Sequence, residues 1–261
     1  MDIIFPCAIV GGMGLFFGII LALASKIFAV KEDERIPMIV EALPGANCGG
    51  CGYAGCAGYA DAIVKGEAKC SLCTPGGSKS AERIAEIMGL SAEKVDKKVA
   101  FVACSGATDV AETRYIYQGL NDCNYANRLG GGPKSCKYAC LGLGTCVKAC
   151  PTGAISVKDG LAVVDKEKCI GCGVCVKECP KNVIKLVDYS AETVVKCHSL
   201  DKGKKVKENC SKGCIGCGIC AKNCPEEAIT MENNLAVIDT EKCKNCGLCV
   251  EKCPQKTISV I

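Results

Sequence analysis

The chain has 261 residues with 26 cysteines, no tryptophan and a formal net charge of +4. So few large apolar side chains outside the N-terminus leave no segment able to build a large core, and bound metal has to substitute for one. Basic side chains from Lys134 onward are all Lys, with neither the Arg forks nor the stacking aromatics that nucleic acid requires, and the lone His198 excludes a His-centred catalytic dyad or triad.

Ile3 to Ala24 is almost wholly apolar, about the length that crosses a bilayer core as a helix, and predicts a single membrane anchor within residues 1–29. Ala22-Leu23-Ala24 has the look of a signal-cleavage site, but no basic n-region precedes it. Lys26, Lys31 and Arg35 follow the run whereas only Asp2 and the amino terminus precede it, so the positive-inside rule puts the bulk of the chain in the cytoplasm. Gly14 and Gly18 form a Gly-x3-Gly pair on which another membrane helix can pack. One short anchor carrying a large remainder predicts a component of a larger membrane assembly.

Residues 30–90 predict a small domain built on Cys48, Cys51 and Cys56, whose flanking glycines let backbone amides approach the sulfur atoms of a metal cluster. A fourth ligand must come from Cys70 or Cys73, and spacing does not choose between them. Helices are predicted from Cys56 to Lys65, stopped by Gly66, and from Ala81 to Met88, capped by Ser80 and ended by Gly89. In the connecting segment, 91–133, Val99 to Cys104 reads as a buried strand. Ser105-Gly106-Ala107-Thr108 is similar to a covalent flavin attachment string, but no acidic residue precedes it, so it reads as a turn; Asn121 to Pro133 reads as a loop.

From Cys123 onward the sequence repeats with a period of 74 residues. In the second copy, Cys214, Cys217, Cys220 and Cys224-Pro225 make Cys-x2-Cys-x2-Cys-x3-Cys-Pro, and Cys243, Cys246, Cys249 and Cys253-Pro254 repeat it, the signature of a two-cluster bacterial ferredoxin in which each fourth cysteine ligates the other cluster. One 4Fe-4S cluster therefore takes Cys214, Cys217, Cys220 and Cys253, the other Cys224, Cys243, Cys246 and Cys249. Zinc sites show separated Cys-x2-Cys pairs instead, and disulfides are at odds with a spacing that needs reduced thiolates. In the first copy, Cys150, Cys169, Cys172 and Cys175 form an intact set, but Leu143 stands where the second copy has Cys217. Cys140, Cys146 and Cys179 remain, and Cys136 is the nearest replacement; a 3Fe-4S cluster on three thiolates is the alternative. An isoleucine five residues beyond each Cys-Pro cysteine, at Ile155, Ile184, Ile229 and Ile258, predicts a short covering strand.

The fold class is thus α+β: a transmembrane helix, a four-cysteine domain and two tandem ferredoxin modules over 134–189 and 208–261, joined by a lysine-rich linker over 190–207. Five clusters at about −2 each would bring the holoprotein to roughly −6, so the lysines offset cluster charge. Cys7, Cys70, Cys104, Cys123, Cys197 and Cys210 are left over and read as structural thiols, with a further metal site as the alternative.

The order of anchor, Cys48-x2-Cys51-x4-Cys56 with Cys73-Thr74-Pro75-Gly76-Gly77, then ferredoxin modules, resembles the B subunits of Rnf electron-transport complexes along essentially the whole chain. That resemblance implies Cys73 as the fourth ligand of the first domain, partner subunits in a membrane complex, soluble ferredoxin as electron donor, and transfer to NAD coupled to Na+ or H+ translocation. It implies no organic-substrate site on this chain. A relay component of a formate dehydrogenase or hydrogenase would keep the ligands and change the partners, and the domain from Cys48 to Cys73 argues against it.

Overall fold

The structure, a computed structural model, describes residues 4–27, 33–91 and 95–261; Asp2 and Lys31 of the charge argument lie outside them, as does the Cys7 side chain. Helix α1, Ile4–Ile27, is apolar on all sides, and its stretch Ile9–Lys26 is long and apolar enough to cross a membrane. Val10, Leu15 and Leu21 are about 70% exposed, and among its described residues, Ile9–Lys26, the helix buries no side chain against this chain.

Helices α2 (Arg35–Ala42), α3 (Gly55–Val64) and α4 (Gly77–Met88) pack together around Ile39, Tyr59, Ile63 and Ile84, all at most 2% exposed. Ile87 and Met88 sit against the same core. Gly89 ends α4 in the left-handed conformation as the sequence predicts. Ser80 does not cap it: α4 starts a turn earlier at Gly77, and the Ser80 hydroxyl instead donates to the Ala42 carbonyl at the end of α2.

Strand β1 (Lys98–Val102) follows, then α5 (Cys123–Arg128) and α6 (Thr145–Lys148). The expected loop from Asn121 thus contains a helical turn, initiated by the Asp122 carboxylate, which accepts the Asn124 and Tyr125 N–H groups. The first ferredoxin module continues with the hairpin β2 (Ile155–Lys158) and β3 (Leu161–Val164), α7 (Val174–Glu178) and β4 (Ile184–Asp188). After β5 (Thr193–Val195) and α8 (Gly203–Asn209), the second module repeats the plan with α9 (Ile219–Lys222), β6 (Ile229–Glu232), β7 (Leu235–Ile238), α10 (Leu248–Lys252) and β8 (Ile258–Val260). Strands β2, β4, β6 and β8 begin at the four isoleucines the repeat singled out.

Each module's last strand pairs antiparallel with a strand from outside its cysteine motifs: β4 with β1, Val102 opposite Ile184, and β8 with β5, Val195 opposite Ile258. The segment read as a connector therefore supplies a strand to module 1, and the segment read as a linker supplies β5 and the helix α8 to module 2.

Candidate iron-sulfur sites

Among the described residues no cysteine is in a disulfide. The four short helices α6, α7, α9 and α10 are each preceded by a left-handed glycine, Gly144, Gly173, Gly218 and Gly247, with φ between 71° and 78°. That turn, which a side chain resists, reverses the loop so that its cysteines and the first helical cysteine face one space.

In module 2, Cys214, Cys217, Cys220 and Cys253 line one small cavity with Ile258 and Ala236. Cys224, Cys243, Cys246 and Cys249 line another. Each cavity includes one thiol from the other half of the repeat. Among the described residues no three His, Cys, Asp or Glu side chains close on a single-ion site. Burial pushes the Cys220 thiol up to about 11 and the Cys146 and Cys175 thiols up to about 12, so a bound metal must displace their protons.

Module 1 brings Cys175 close to Cys172, Cys169 and Cys150. Burial pushes the Cys150 thiol up, but the Thr152 hydroxyl and the N–H groups of Thr152, Ala154 and Ile155 outweigh it and hold the thiol below its ordinary value. The Ala100 N–H of β1 donates to Cys169 Sγ at 3.4 Å, so the added strand serves the site directly. Such donors tune and orient a metal-bound sulfur.

The leading set of module 1 departs from the expectation. Cys146 has Cys140, Cys123 and Cys179 as its thiol neighbours, whereas Cys136 faces Cys104 and Cys210. Cys123 stands among these thiols because α5 starts beside α6, its Cys123 N–H donating to the Thr145 hydroxyl at 2.7 Å. The recurrence of Cys123 as Cys197, 74 residues on, is the sequence signal that it is no bystander.

In the first domain Cys73 lies near Cys56, Cys51 and Cys48, and its sulfur accepts the Gly76 N–H. Tyr59 anchors the returning loop, its hydroxyl donating to the Lys69 carbonyl at 2.6 Å and accepting the Leu72 N–H at 3.1 Å. This domain docks on module 1: Cys48 approaches Cys172, and a Cβ on Gly50 would stand 2.2 Å from the Cys172 carbonyl oxygen. His198 is half-buried with Nδ1 shielded from water and without a hydrogen-bond partner.

Comparison with known proteins matches residues 43–75 to a family described as "Putative Fe-S cluster" and residues 113–184, 162–231 and 213–257 to families described as "4Fe-4S dicluster domain". The chain is 50% identical over 242 residues to the B subunit of the Na(+)-translocating ferredoxin:NAD(+) oxidoreductase complex of Acetobacterium woodii, covering 92% of this chain and 73% of that one. It is 48% identical to the B subunit of the proton-translocating ferredoxin:NAD(+) oxidoreductase complex of Clostridium ljungdahlii, with 88% and 82% covered. The B subunit of the ion-translocating oxidoreductase complex of Methanosarcina acetivorans is 44% identical, with 90% of each chain covered. With cysteine sets of ferredoxin geometry and likeness of this extent, the chain belongs to the family of B subunits of the ion-translocating ferredoxin:NAD oxidoreductase, or Rnf, complexes.

Proposed function

We propose that this chain is the membrane-tethered iron-sulfur subunit through which an Rnf complex draws electrons from reduced ferredoxin and passes them toward NAD, while the assembly moves Na+ or H+. The observation that carries it is the gathering of cysteines, spaced as in ferredoxins, into adjoining sets that line common cavities. The ligand sets are Cys48, Cys51, Cys56 and Cys73; Cys150, Cys169, Cys172 and Cys175; Cys123, Cys140, Cys146 and Cys179; Cys214, Cys217, Cys220 and Cys253; and Cys224, Cys243, Cys246 and Cys249. The neighbours of Cys146 support Cys123 in the place that spacing gives to Cys136.

When bound, [4Fe-4S] clusters supply one-electron redox chemistry at these positions. The chain's own part is to space and insulate. Ile155, Ile184, Ile229 and Ile258 wall off water, and backbone N–H groups such as those of Ala100 and Thr257 donate to ligand sulfurs. Helix α1 holds the chain at the bilayer, with Lys26 and Arg35 on the cytoplasmic side and the other subunits of the complex around it.

Lys202, Lys204, Lys205 and Lys207 are exposed on and beside α8, a helix and not the expected loop. They form a basic surface for an acidic ferredoxin, which electrostatic attraction steers at low salt. Reversing all four to Glu is expected to slow reduction by ferredoxin about tenfold at low ionic strength and much less at high; an unchanged low-salt rate removes this docking role. The central test is metal analysis of anaerobically purified protein. Iron with equal acid-labile sulfide and a reducible paramagnetic signal is expected, and zinc without sulfide overturns the reading.

A further inference from the structure

Four cysteines that the ferredoxin pattern does not use converge where the two modules meet. Cys104 follows β1, Cys136 precedes the first cysteine motif, and Cys197 and Cys210 flank α8. Together they line one cavity, as the two sets of module 2 do. Their neighbours agree with this grouping: Cys136 lies near Cys104 and Cys210, and Cys210 near Cys104 and Cys197.

The surroundings are those of a metal-bound sulfur cage. The Gly106 and Cys140 N–H groups donate to Cys104 Sγ at 3.3 and 3.5 Å, and the Ser199 N–H to Cys197 Sγ at 3.5 Å. The cavity's rim also holds His198, whose shielded Nδ1 lacks a partner, an unmet cost that a sulfide acceptor removes. Nearby, Lys134 is 6% exposed and its ammonium donates to the Gly106 and Gly160 carbonyls with no carboxylate among these partners. A buried cation needs a counter-charge, and a cluster with four thiolates brings about −2.

We infer that Cys104, Cys136, Cys197 and Cys210 hold a sixth [4Fe-4S] cluster in the seam between the two ferredoxin modules. The site lies between the leading sets of the two modules, since Cys140 feels Cys104 on one side and Cys197 feels Cys214 on the other. With it the sets form one file: Cys48 beside Cys172, Cys175 beside Cys146, the seam site, then Cys214 and Cys224 with their partners. Transfer through the seam moves one electron and makes or breaks no bond: the reduced neighbour is oxidised by one as the seam site is reduced by one. Electrons originate in the reduced ferredoxin of the proposed reaction, on which this inference rests.

The test uses the full chain purified in detergent without oxygen. The expected content is about 24 iron and about 24 acid-labile sulfide per chain, against about 20 of each for five clusters. The double variant Cys197→Ala/Cys210→Ala is expected to lose about four of each while the other clusters remain reducible. About 20 of each in the unaltered protein, a count that needs no variant to fold, overturns the seam site and leaves the proposed function standing. So does a double variant that keeps its full iron. Colourless, iron-free protein would overturn the iron-sulfur reading as a whole.

Discussion

Leu143 decides how the cysteines of module 1 are shared out. It occupies the position of Cys217 in the repeat, and the two thiols within reach of replacing it, Cys123 and Cys136, diverge in the fold. Cys123 joins Cys140, Cys146 and Cys179, and Cys136 turns toward Cys104 and Cys210. Cys123→Ala is therefore expected to cost about four iron atoms per chain; adding Leu143→Cys in the same background should restore them, which iron and sulfide analysis reads directly. Gly50 is a second decisive position. Its own φ is permissive, but an added methyl group meets the Cys172 carbonyl oxygen at 2.2 Å, and backbone cannot retreat as a side-chain tip can. Gly50→Ala is expected to destabilise the contact of the first domain with module 1 by about 1–3 kcal/mol, seen as lower thermal stability and slower electron passage between their clusters. Neither contact could be read from the sequence, because spacing ranks candidates along the chain and says nothing of which loops meet.

Among the elements, those written in the repeat were legible. The isoleucines after each Cys-Pro cysteine open β2, β4, β6 and β8, and Gly66 and Gly89 follow α3 and α4 as expected. The helix α5 was hidden because its cap, Asp122, precedes a stretch without apolar periodicity; a single side chain on two N–H groups makes the turn. The pairing of β1 with β4 was hidden because a strand's partner is set by tertiary packing rather than by its own pattern. β5 is held partly by one side chain: Asn245 Oδ1 accepts the Glu192 and Thr193 N–H groups at 3.3 and 3.2 Å. Asn245 also adopts φ of 54°, which Asn tolerates better than most residues. Asn245→Ala is thus expected to cost about 1–2 kcal/mol, with faster hydrogen exchange confined to β5 and β8.

At the scale of the molecule, the domains differ in what holds them together. The first has an apolar core of Ile39, Tyr59, Ile63 and Ile84, whereas the buried cluster of module 2 is Cys220, Ile229, Ala236, Cys249 and Ile258, two of the five being proposed ligands. Removing iron with a chelator under anaerobic conditions should therefore expose the amides of residues 193–261 to rapid exchange. Those of α2, α3 and α4 should stay protected for longer, and hydrogen exchange by mass spectrometry measures both. The sequence made the dependence on metal legible through its cysteine count and lack of tryptophan; the seam between modules needed the fold, since its four cysteines span residues 104 to 210.

Cys253 walls the cavity of Cys214, Cys217 and Cys220, and β8 beside it is the strand that pairs with β5. Residues 253–261 thus close both a thiol-lined cavity and a sheet begun some sixty positions earlier. A chain cut before Cys253 would leave that cavity open to water and β5 without its partner, so shielding of the thiols and closure of the sheet depend on the same short segment.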